Sequence, residues 1–309
     1  MAKERITAKE RQTEIRALEA TPWLFLSPVI FLFFFVYVIP LIYTGYQSVM
    51  ALRSTSGSGF GGVNETVFVG AEHYLVSISD SAFLWSIGRM IAIGVIQVPI
   101  MLGFALSLAL MLDSRRCYGR RAYNLAYFLP YAIPGVVSAL MWAYLVQPSL
   151  SPFTQLMSKI NIDFDMTAPV AIPFTIGNMI TWGFTGYNMV IMYAALKALP
   201  KDLMEAAYID GAGPWTVAWK IKVPLIRPAI VMTAVFSIIG TIQLYNEPAI
   251  LRNATANVDQ SYSPIMAVYY LVQNNDFSGA AARSIILAII TFVLSFGFLK
   301  YQQKRGGAF

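Results

Sequence analysis

Long apolar segments are the feature that most constrains what this chain can fold into. A membrane span needs about 20 mostly apolar residues, because each helical residue rises about 1.5 Å through a hydrocarbon layer about 30 Å thick. Backbone groups inside lipid must bond within their own segment, so we predict helices despite the many Val, Ile and Phe residues. The sequence therefore predicts an all-α, polytopic membrane protein with six transmembrane helices. The six segments lie at residues 22–46, 84–112, 123–147, 171–198, 225–250 and 281–302.

The composition excludes an ordinary water-soluble globule. Only 12% of the 309 residues are charged and 57% are apolar, whereas about a quarter of the residues in a soluble domain are charged. Cys117 and His73 are the single cysteine and histidine of the chain, so neither a disulfide pair nor a Cys/His metal site is available. We therefore predict no metal site. The net charge of +6 does not by itself indicate a nucleic-acid partner, because basic residues of membrane proteins concentrate in cytoplasmic loops.

The distribution of Lys and Arg predicts the orientation. They cluster before the first span, after the second, between the fourth and fifth, and after the sixth, whereas the opposite loops are mostly acidic. The positive-inside rule then places both termini in the cytoplasm. This layout divides the chain into a cytoplasmic tail at 1–21, a transmembrane domain at 22–302 with a core at roughly 84–302, and a cytoplasmic tail at 303–309.

Ionisable residues inside the predicted spans are scarce. Arg89 and Arg283 lie near the outer ends of their spans, where we expect them to snorkel to the interface. Glu247 is the one carboxylate that comes close to the interior of a span. The sequence contains no GxxxxGK[ST], HExxH or GxSxG motif, so it offers no nucleotide-binding loop and no catalytic grouping. We predict a transport subunit that is not itself an enzyme.

Residues 205–224, EAAYIDGAGPWTVAWKIKVP, interrupt two apolar segments with charges and a Gly-Ala-Gly-Pro break. Pro200 ends the fourth span, and KDLMEAAYI is rich in helix formers. Gly211 supplies a left-handed stop and Pro214 restarts a second helix. We predict a bent helical element outside the lipid on the cytoplasmic side. Its alanines allow close approach of another protein, although an ordinary interfacial loop is an equal alternative on spacing alone.

The same segment resembles a known motif. Residues 205–224 reproduce the spacing EAA-x3-G-x9-I-x-L-P of the permease subunits of bacterial ABC importers, with Val223 in place of the usual Leu. Further segments agree in the same order, so the resemblance covers nearly the whole chain. It is narrowest to the carbohydrate-uptake permeases of the maltose and glycerol-phosphate type. These segments are PWLFLSPVIFLFFFVYVIPLIY, YFLPYAIPGVVSALMWAYL, WGFTGYNMVIMYAALKALP and IQLYNEPAIL.

The resemblance implies a function and a set of partners. In that family the EAA element is a coupling helix that sits in a cleft of a separate cytoplasmic ATPase, so this chain would hold no cofactor and ATP and Mg would bind the partner. Two ATPase subunits, a second homologous permease and an extracytoplasmic solute-binding protein are implied, in the bacterial cytoplasmic membrane. The implied coupling residues are Glu205, Ala206, Ala207, Asp210, Gly211, Ile221 and Pro224.

The implied solute is a carbohydrate of two or more sugar units. An importer of glycerophosphate or a polyol is an alternative within the same machinery, and a secondary transporter is a more remote one. A charged solute should need basic residues in its path, and the sequence has none in the middle of a span. This observation favours a neutral sugar.

Polar and aromatic side chains of the fourth and fifth spans are candidates for the solute path. Aromatic faces pack on the C–H surface of a sugar ring, while amides and carboxylates bind its hydroxyls. Polar groups in spans tend to face the protein interior or a cavity. Helix–helix hydrogen bonding and an aromatic belt at the interface are the alternative explanations. The candidates are Asn178, Trp182, Tyr187, Asn188, Gln243, Asn246 and Glu247.

Overall fold

Helices make up most of the structure, as the sequence predicts. The computed structural model describes residues 21–54, 64–114, 116–160 and 165–304. Most of the predicted tails at 1–21 and 303–309 therefore lies outside the described residues. The helices are α1 (Thr21–Ser48), α2 (Glu72–Ser79), α3 (Ser81–Asp113), α4 (Arg120–Ala132), α5 (Gly135–Leu145), α6 (Pro152–Ser158), α7 (Ile172–Lys197), α8 (Lys201–Ile209), α9 (Pro214–Val217), α10 (Val223–Leu225), α11 (Arg227–Ile242), α12 (Asn246–Leu251), α13 (Pro264–Gln273) and α14 (Phe277–Lys304).

A β-hairpin separates α1 from α2. Strand β1 (Met50–Ser54) pairs antiparallel with β2 (Asn64–Phe68), and Arg53 joins the hairpin to α2 through Glu72, with Nη2 and Oε2 2.8 Å apart. The all-α prediction missed this pair, because two five-residue strands carry too short an alternation to stand out from neighbouring apolar helices. The Gly/Ser-rich stretch between the strands, 55–63, lies outside the described residues.

Four segments are long and apolar enough to cross a membrane: α1, α3, α11 with α12, and α14. The bent pair of α4 and α5 makes a fifth if it is counted as one span. Helix α7 has 26 residues, but its Asn, Thr and Gly residues lower its hydropathy and it is not among these. Length and composition therefore account for four or five of the six predicted spans.

The predicted third span, 123–147, is broken into two helices. Helices α4 and α5 meet at an angle of 89°, and Ile133 between them has an extended backbone. A residue that precedes proline is pushed out of the helical region by the proline ring, and Pro134 follows Ile133. The expectation of one continuous helix here is therefore wrong.

Helix α3 lies at the centre of the fold. It packs against α7, α11 and α13, and it contributes to three clusters of buried apolar side chains along its length. Phe83 belongs to the first cluster, Met90 and Met101 to the second, and Ala109 and Leu112 to the third. The remaining long helices are held in place mainly through their contacts with α3 or with one another.

The two arginines expected to snorkel are instead paired within the protein. Nη2 of Arg283 lies 2.5 Å from Oδ2 of Asp80, and the guanidinium lies over the ring of Phe83. Arg89 donates to the carbonyl of Tyr262 at 2.9 Å and covers its ring. Burial raises the pKa of Tyr262 to about 12, so its hydroxyl stays neutral beside the guanidinium. These partners come from distant parts of the chain, so the sequence analysis did not find them.

The contact between α4 and α7 depends on a glycine. A Cβ added to Gly186 would overlap the carbonyl oxygen of Tyr127, so Gly186→Ala should force the two helices apart. We expect the free energy of unfolding to fall by about 1–3 kcal/mol, the usual cost of overpacking. Gly183→Ala, on the same helix but with open space around it, is the control and should be neutral. Thermal unfolding of both variants in detergent micelles checks this, and equal melting temperatures would contradict it.

Candidate functional site

Residues 201–225 form a series of short helices between α7 and α11. Helix α8 ends in a Schellman arrangement: the N–H of Ala212 bonds to the carbonyl of Ala207 at 2.9 Å, and the N–H of Gly211 bonds to that of Tyr208 at 3.1 Å. Gly211 has a φ of 81°, a left-handed conformation that glycine adopts without strain. The left-handed stop predicted at Gly211 is confirmed.

The element leaves its small residues accessible. Two exposed apolar side chains accompany them: Ile209 is 86% exposed and Trp215 is 76% exposed. Ala207 and Ile221 are half-buried. This surface suits contact with another protein more than with water, because large apolar side chains stand beside small ones. The exposed members of the predicted coupling set are Glu205, Ala206, Asp210, Gly211 and Pro224.

Pro224 shapes the entry into α11. The turn before it, Ala218–Lys222, is π-helical, and the N–H of Val223 bonds to the carbonyl of Ala218. Proline has no N–H for the bond to the residue four positions back and its ring clashes with that carbonyl, so a wider turn accommodates it. The same arrangement occurs in α1, where the π-helical turn Phe34–Val38 precedes Pro40.

Asp113 connects α3 to the chain on both sides of α8 and α9. Its Oδ1 lies 2.9 Å from Nζ of Lys197, at the end of α7, and its Oδ2 lies 2.5 Å from Nζ of Lys222. The carboxylate side chain is only 9% exposed. The sequence analysis missed Asp113, although an acid at the end of an apolar span beside a basic loop is a detectable signal.

The path candidates on α7 occupy two kinds of environment. Asn178 is exposed on a cavity of about 330 Å³ between α3 and α7, whose lining is mostly apolar. Trp182 instead packs edge-on against Trp142, with ring centroids 5.9 Å apart, and against the central apolar cluster. The structure does not bring these two side chains into one pocket, although they lie one turn apart on the helix.

Tyr187 and Asn188 lie further along α7. The Tyr187 ring stacks on Tyr131 of α4 at 4.7 Å. Asn188 is 2% exposed and donates to the carbonyl of Phe184. Its Oδ1 has no hydrogen-bond partner among the described residues. Both environments favour helix packing in this conformation over direct contact with a solute.

The candidates on the fifth span lie at a second break. Gln243 and Asn246 are exposed and Glu247 is half-buried, all at or just after the interruption between α11 and α12. Helix α12 packs on α5. The contact is close at Gly135, the first residue of α5, where an added Cβ would lie 3.1 Å from the Asn246 amide nitrogen. The breaks of the third and fifth spans therefore meet. Broken helices that meet in this way are typical of solute sites in transporters.

Gln97 forms a polar contact point that the sequence analysis did not single out. It lies midway along α3, and its Oε1 accepts from Thr241 of α11 at 3.4 Å while its Nε2 donates to Thr181 of α7 at 3.4 Å. A lone amide in the middle of an otherwise apolar helix was the available signal. Within the described ranges, no group of three or more His, Cys, Asp or Glu side chains could hold a metal ion.

A family comparison accounts for this arrangement. A profile of the family described as "Binding-protein-dependent transport system inner membrane component" matches residues 100–305, about two thirds of the chain. The chain belongs to this family. The resemblance to permease subunits of ABC importers is confirmed, and the protein is a multi-pass component of a membrane transport system.

Curated relatives span nearly the full chain. The sn-glycerol-3-phosphate transport system permease protein UgpA of Agrobacterium fabrum (strain C58) is 26% identical over 301 residues, covering 92% of this chain and 95% of that protein. The lactose transport system permease protein LacF of Rhizobium radiobacter is 27% identical over 301 residues, covering 94% and 96%. The probable starch degradation products permease AmyD of Thermoanaerobacterium thermosulfurigenes is 26% identical over 294 residues, covering 92% and 94%.

A solved structure has the same fold. It is a bacterial ABC transporter involved in the import of the acidic polysaccharide alginate; the match has a TM-score of 0.75 and 20% sequence identity, and covers 95% of this chain and 99% of that one. A second structure contains an alginate transporter in complex with an alginate pentasaccharide-bound periplasmic protein, with a TM-score of 0.73 and 20% identity over 93% of this chain and 94% of that one. These matches establish the permease fold.

The left-handed turn after α8 should be sensitive to a side chain at Gly211. Gly211→Ala places a Cβ in a conformation that costs about 1–2 kcal/mol, so local opening of the turn should increase on the order of tenfold. The rate of trypsin cleavage after Lys201 in the solubilised protein measures that opening. Gly213→Ala is the control, because Gly213 has a φ of −71° and open space around it. Identical cleavage rates for the two variants would contradict the assignment.

Proposed function

We propose that this chain is the permease subunit of an ATP-driven, binding-protein-dependent importer of a neutral carbohydrate, with two or more sugar units. Family membership and the exposed EAA residues of α8, which ends in the left-handed turn at Gly211, carry this proposal. The element would act as the coupling helix for a separate ATPase that binds ATP and Mg. The names of the relatives, which include lactose and starch-product permeases, support a carbohydrate.

The topology that we propose has six spans, the transmembrane domain at 22–302, and both termini in the cytoplasm. Helix α7, with 26 residues, reaches about 39 Å at 1.5 Å per residue, enough to cross the hydrocarbon layer. Asp113 pairs with Lys197, so α3 and α7 end on the same side and α4 with α5 must return the chain across the bundle. Asp80 pairs with Arg283, so α3 and α14 begin on the same side. Both pairs support the six-span count.

The proposed assembly contains this chain, a second homologous permease, two cytoplasmic ATPase subunits and an extracytoplasmic solute-binding protein in the bacterial cytoplasmic membrane. The coupling residues are those of the 205–224 element. The solute path is proposed to pass the meeting point of the two broken spans, where Gln243, Asn246 and Glu247 lie. Trp182, Tyr187 and Asn188 support the walls of that path through their packing, and Asn178 faces the cavity beside α3.

A glycerophosphate importer is the second candidate, because the UgpA relatives carry sn-glycerol-3-phosphate in their name. An anionic solute should need an available cation in the path. Arg89 lines the cavity beside α3, but its guanidinium is held by the Tyr262 carbonyl and lies 3.9 Å from Asp259. This engagement favours a neutral solute.

Uptake by the reconstituted transporter tests the function. The chain with its partner subunits in proteoliposomes, supplied with its binding protein, should accumulate lactose or maltotriose only when ATP is present, and sn-glycerol 3-phosphate poorly. Preferred uptake of sn-glycerol 3-phosphate would establish the second candidate instead. Uptake under a proton or sodium gradient without ATP would exclude the ABC mechanism.

Glu205→Lys should abolish ATP-driven uptake or release the ATPase, because it reverses the charge at the coupling surface.

Asn246 is the sharpest test of the solute path. It is exposed at the junction of α5 and α12, so Asn246→Ala should remove a hydrogen bond to the solute with little loss of packing. A lost hydrogen bond of about 1 kcal/mol corresponds to roughly a fivefold rise in the KM of uptake. Asn274→Ala is the control, since Asn274 is exposed at the end of α13 and its side-chain amide donates to the Tyr270 carbonyl on the same helix. An unchanged KM in Asn246→Ala would remove this residue from the path.

A further inference from the structure

Asp113 stands in a position that helix stability alone does not explain. It is the last residue of α3, where the unpaired carbonyl groups already carry partial negative charge, so a carboxylate is unfavourable there. Its presence requires compensating cations, and the structure supplies two: Lys197 from the end of α7 and Lys222 from the turn before α10. The two lysines flank the 198–221 segment, which contains helices α8 and α9 and every proposed coupling residue except Pro224.

The pairing with Lys222 is sheltered from water. The Lys222 side chain is 17% exposed and that of Asp113 9% exposed, whereas Lys197 is 46% exposed. Ion pairs at fully exposed sites contribute little, because water and salt screen them. The Asp113–Lys222 pair is therefore the stronger link, and the Lys197 pair is a weaker second one.

An apolar cluster lies beside the ion pairs. Leu112 of α3, Leu196 of α7 and Ile226 before α11 are all buried in the same cluster, and each is a near neighbour in sequence of one of the charged residues. The ion pairs join α3 to the end of α7 and to the turn before α10, and the cluster adds a contact at the residue before α11. Displacement of the coupling helix would then move the ends of α3, α7 and α11 together.

We infer that Asp113 is a positioning residue for coupling: by pairing with Lys197 and Lys222 it links the base of the coupling helix to α3, so that ATPase movement reaches the central helix of the bundle. This inference rests on the proposed function. Without the link, the element would remain attached to the bundle through its own chain and the apolar cluster, and part of its displacement would be lost before it reached α3.

The experiment uses the complete transporter in proteoliposomes with the solute, among lactose, maltotriose and sn-glycerol 3-phosphate, that the wild-type complex takes up. Asp113→Asn removes the charge at constant size. The amount of assembled complex should stay near that of the wild type, while uptake per ATP hydrolysed falls at least about fivefold, the low end of typical coupling effects. A merely structural role would lower assembly, hydrolysis and uptake together and leave that ratio unchanged.

Asp80→Asn is the matched control. Asp80 lies at the opposite end of α3 and pairs with Arg283 of α14 at the same distance of 2.5 Å. An asparagine at position 80 can still accept the N-cap hydrogen bond from the N–H of Ala82. We therefore expect stability to change while the ratio of uptake to ATP hydrolysis stays the same. The double variant Asp113→Lys with Lys222→Asp rebuilds the stronger pair with reversed charges but loses the pair with Lys197, which then faces a like charge, so it should recover part of the lost ratio.

The outcomes separate the inference from the proposed function. Absence of ATP-dependent uptake by the wild-type complex overturns the proposed function and, with it, the inference. ATP-dependent uptake in the wild type together with an unchanged ratio in Asp113→Asn overturns the inference alone. If the Asp113→Asn variant does not assemble, the ratio of uptake to ATP hydrolysis is measured in Lys222→Gln instead. In that variant Asp113 keeps Lys197 as a partner, so we expect the complex to assemble. A charge-exchange variant that assembles but recovers none of the lost ratio also overturns the inference.

Discussion

The packing of α3 against α7 is the contact on which the rest of the structure depends. In lipid there is no hydrophobic force that drives apolar helices together, so association relies on close fit and on polar bonds between helices. Both are present here. Gly177 lets α7 approach the Gln97 side chain of α3, Gly94 lets Thr241 of α11 approach from the other side, and Gln97 bonds to both neighbours.

The two broken spans are the energetically costly part of this fold, and the proposed solute path lies where they meet. A backbone interruption inside lipid leaves N–H and C=O groups unpaired, so such interruptions occur only where protein or a cavity covers them. Here the break at Pro134 and the one after Ile242 cover each other, with Asn246 against Gly135. A site with polar backbone, exposed amides and nearby aromatic rings can bind a hydroxyl-rich solute. A continuous apolar helix could not provide those groups.

Sequence reasoning was reliable where the signal was local. The stop at Gly211 and the restart at Pro214 follow from two residue types and their spacing, and the structure has both. It was less reliable for the path residues. Asn178 and Asn188 have the same residue type on one helix, yet one is exposed on a cavity and the other is buried in packing. The face that each residue presents depends on how α7 is rotated against α3 and α4, which a single helix pattern does not specify.

By itself the sequence determined that the chain belongs in a membrane, where most of its helices lie, and where helix α8 begins and turns, since hydropathy, proline and glycine act over a few residues. Only the tertiary structure decided which charges are paired and which breaks meet. Asp113 and Lys222 are 109 residues apart, and Asp80 and Arg283 are 203 residues apart. Such pairs form because the bundle brings helix ends together in a medium that strongly favours neutralised charge, and that proximity is a property of the packed helices.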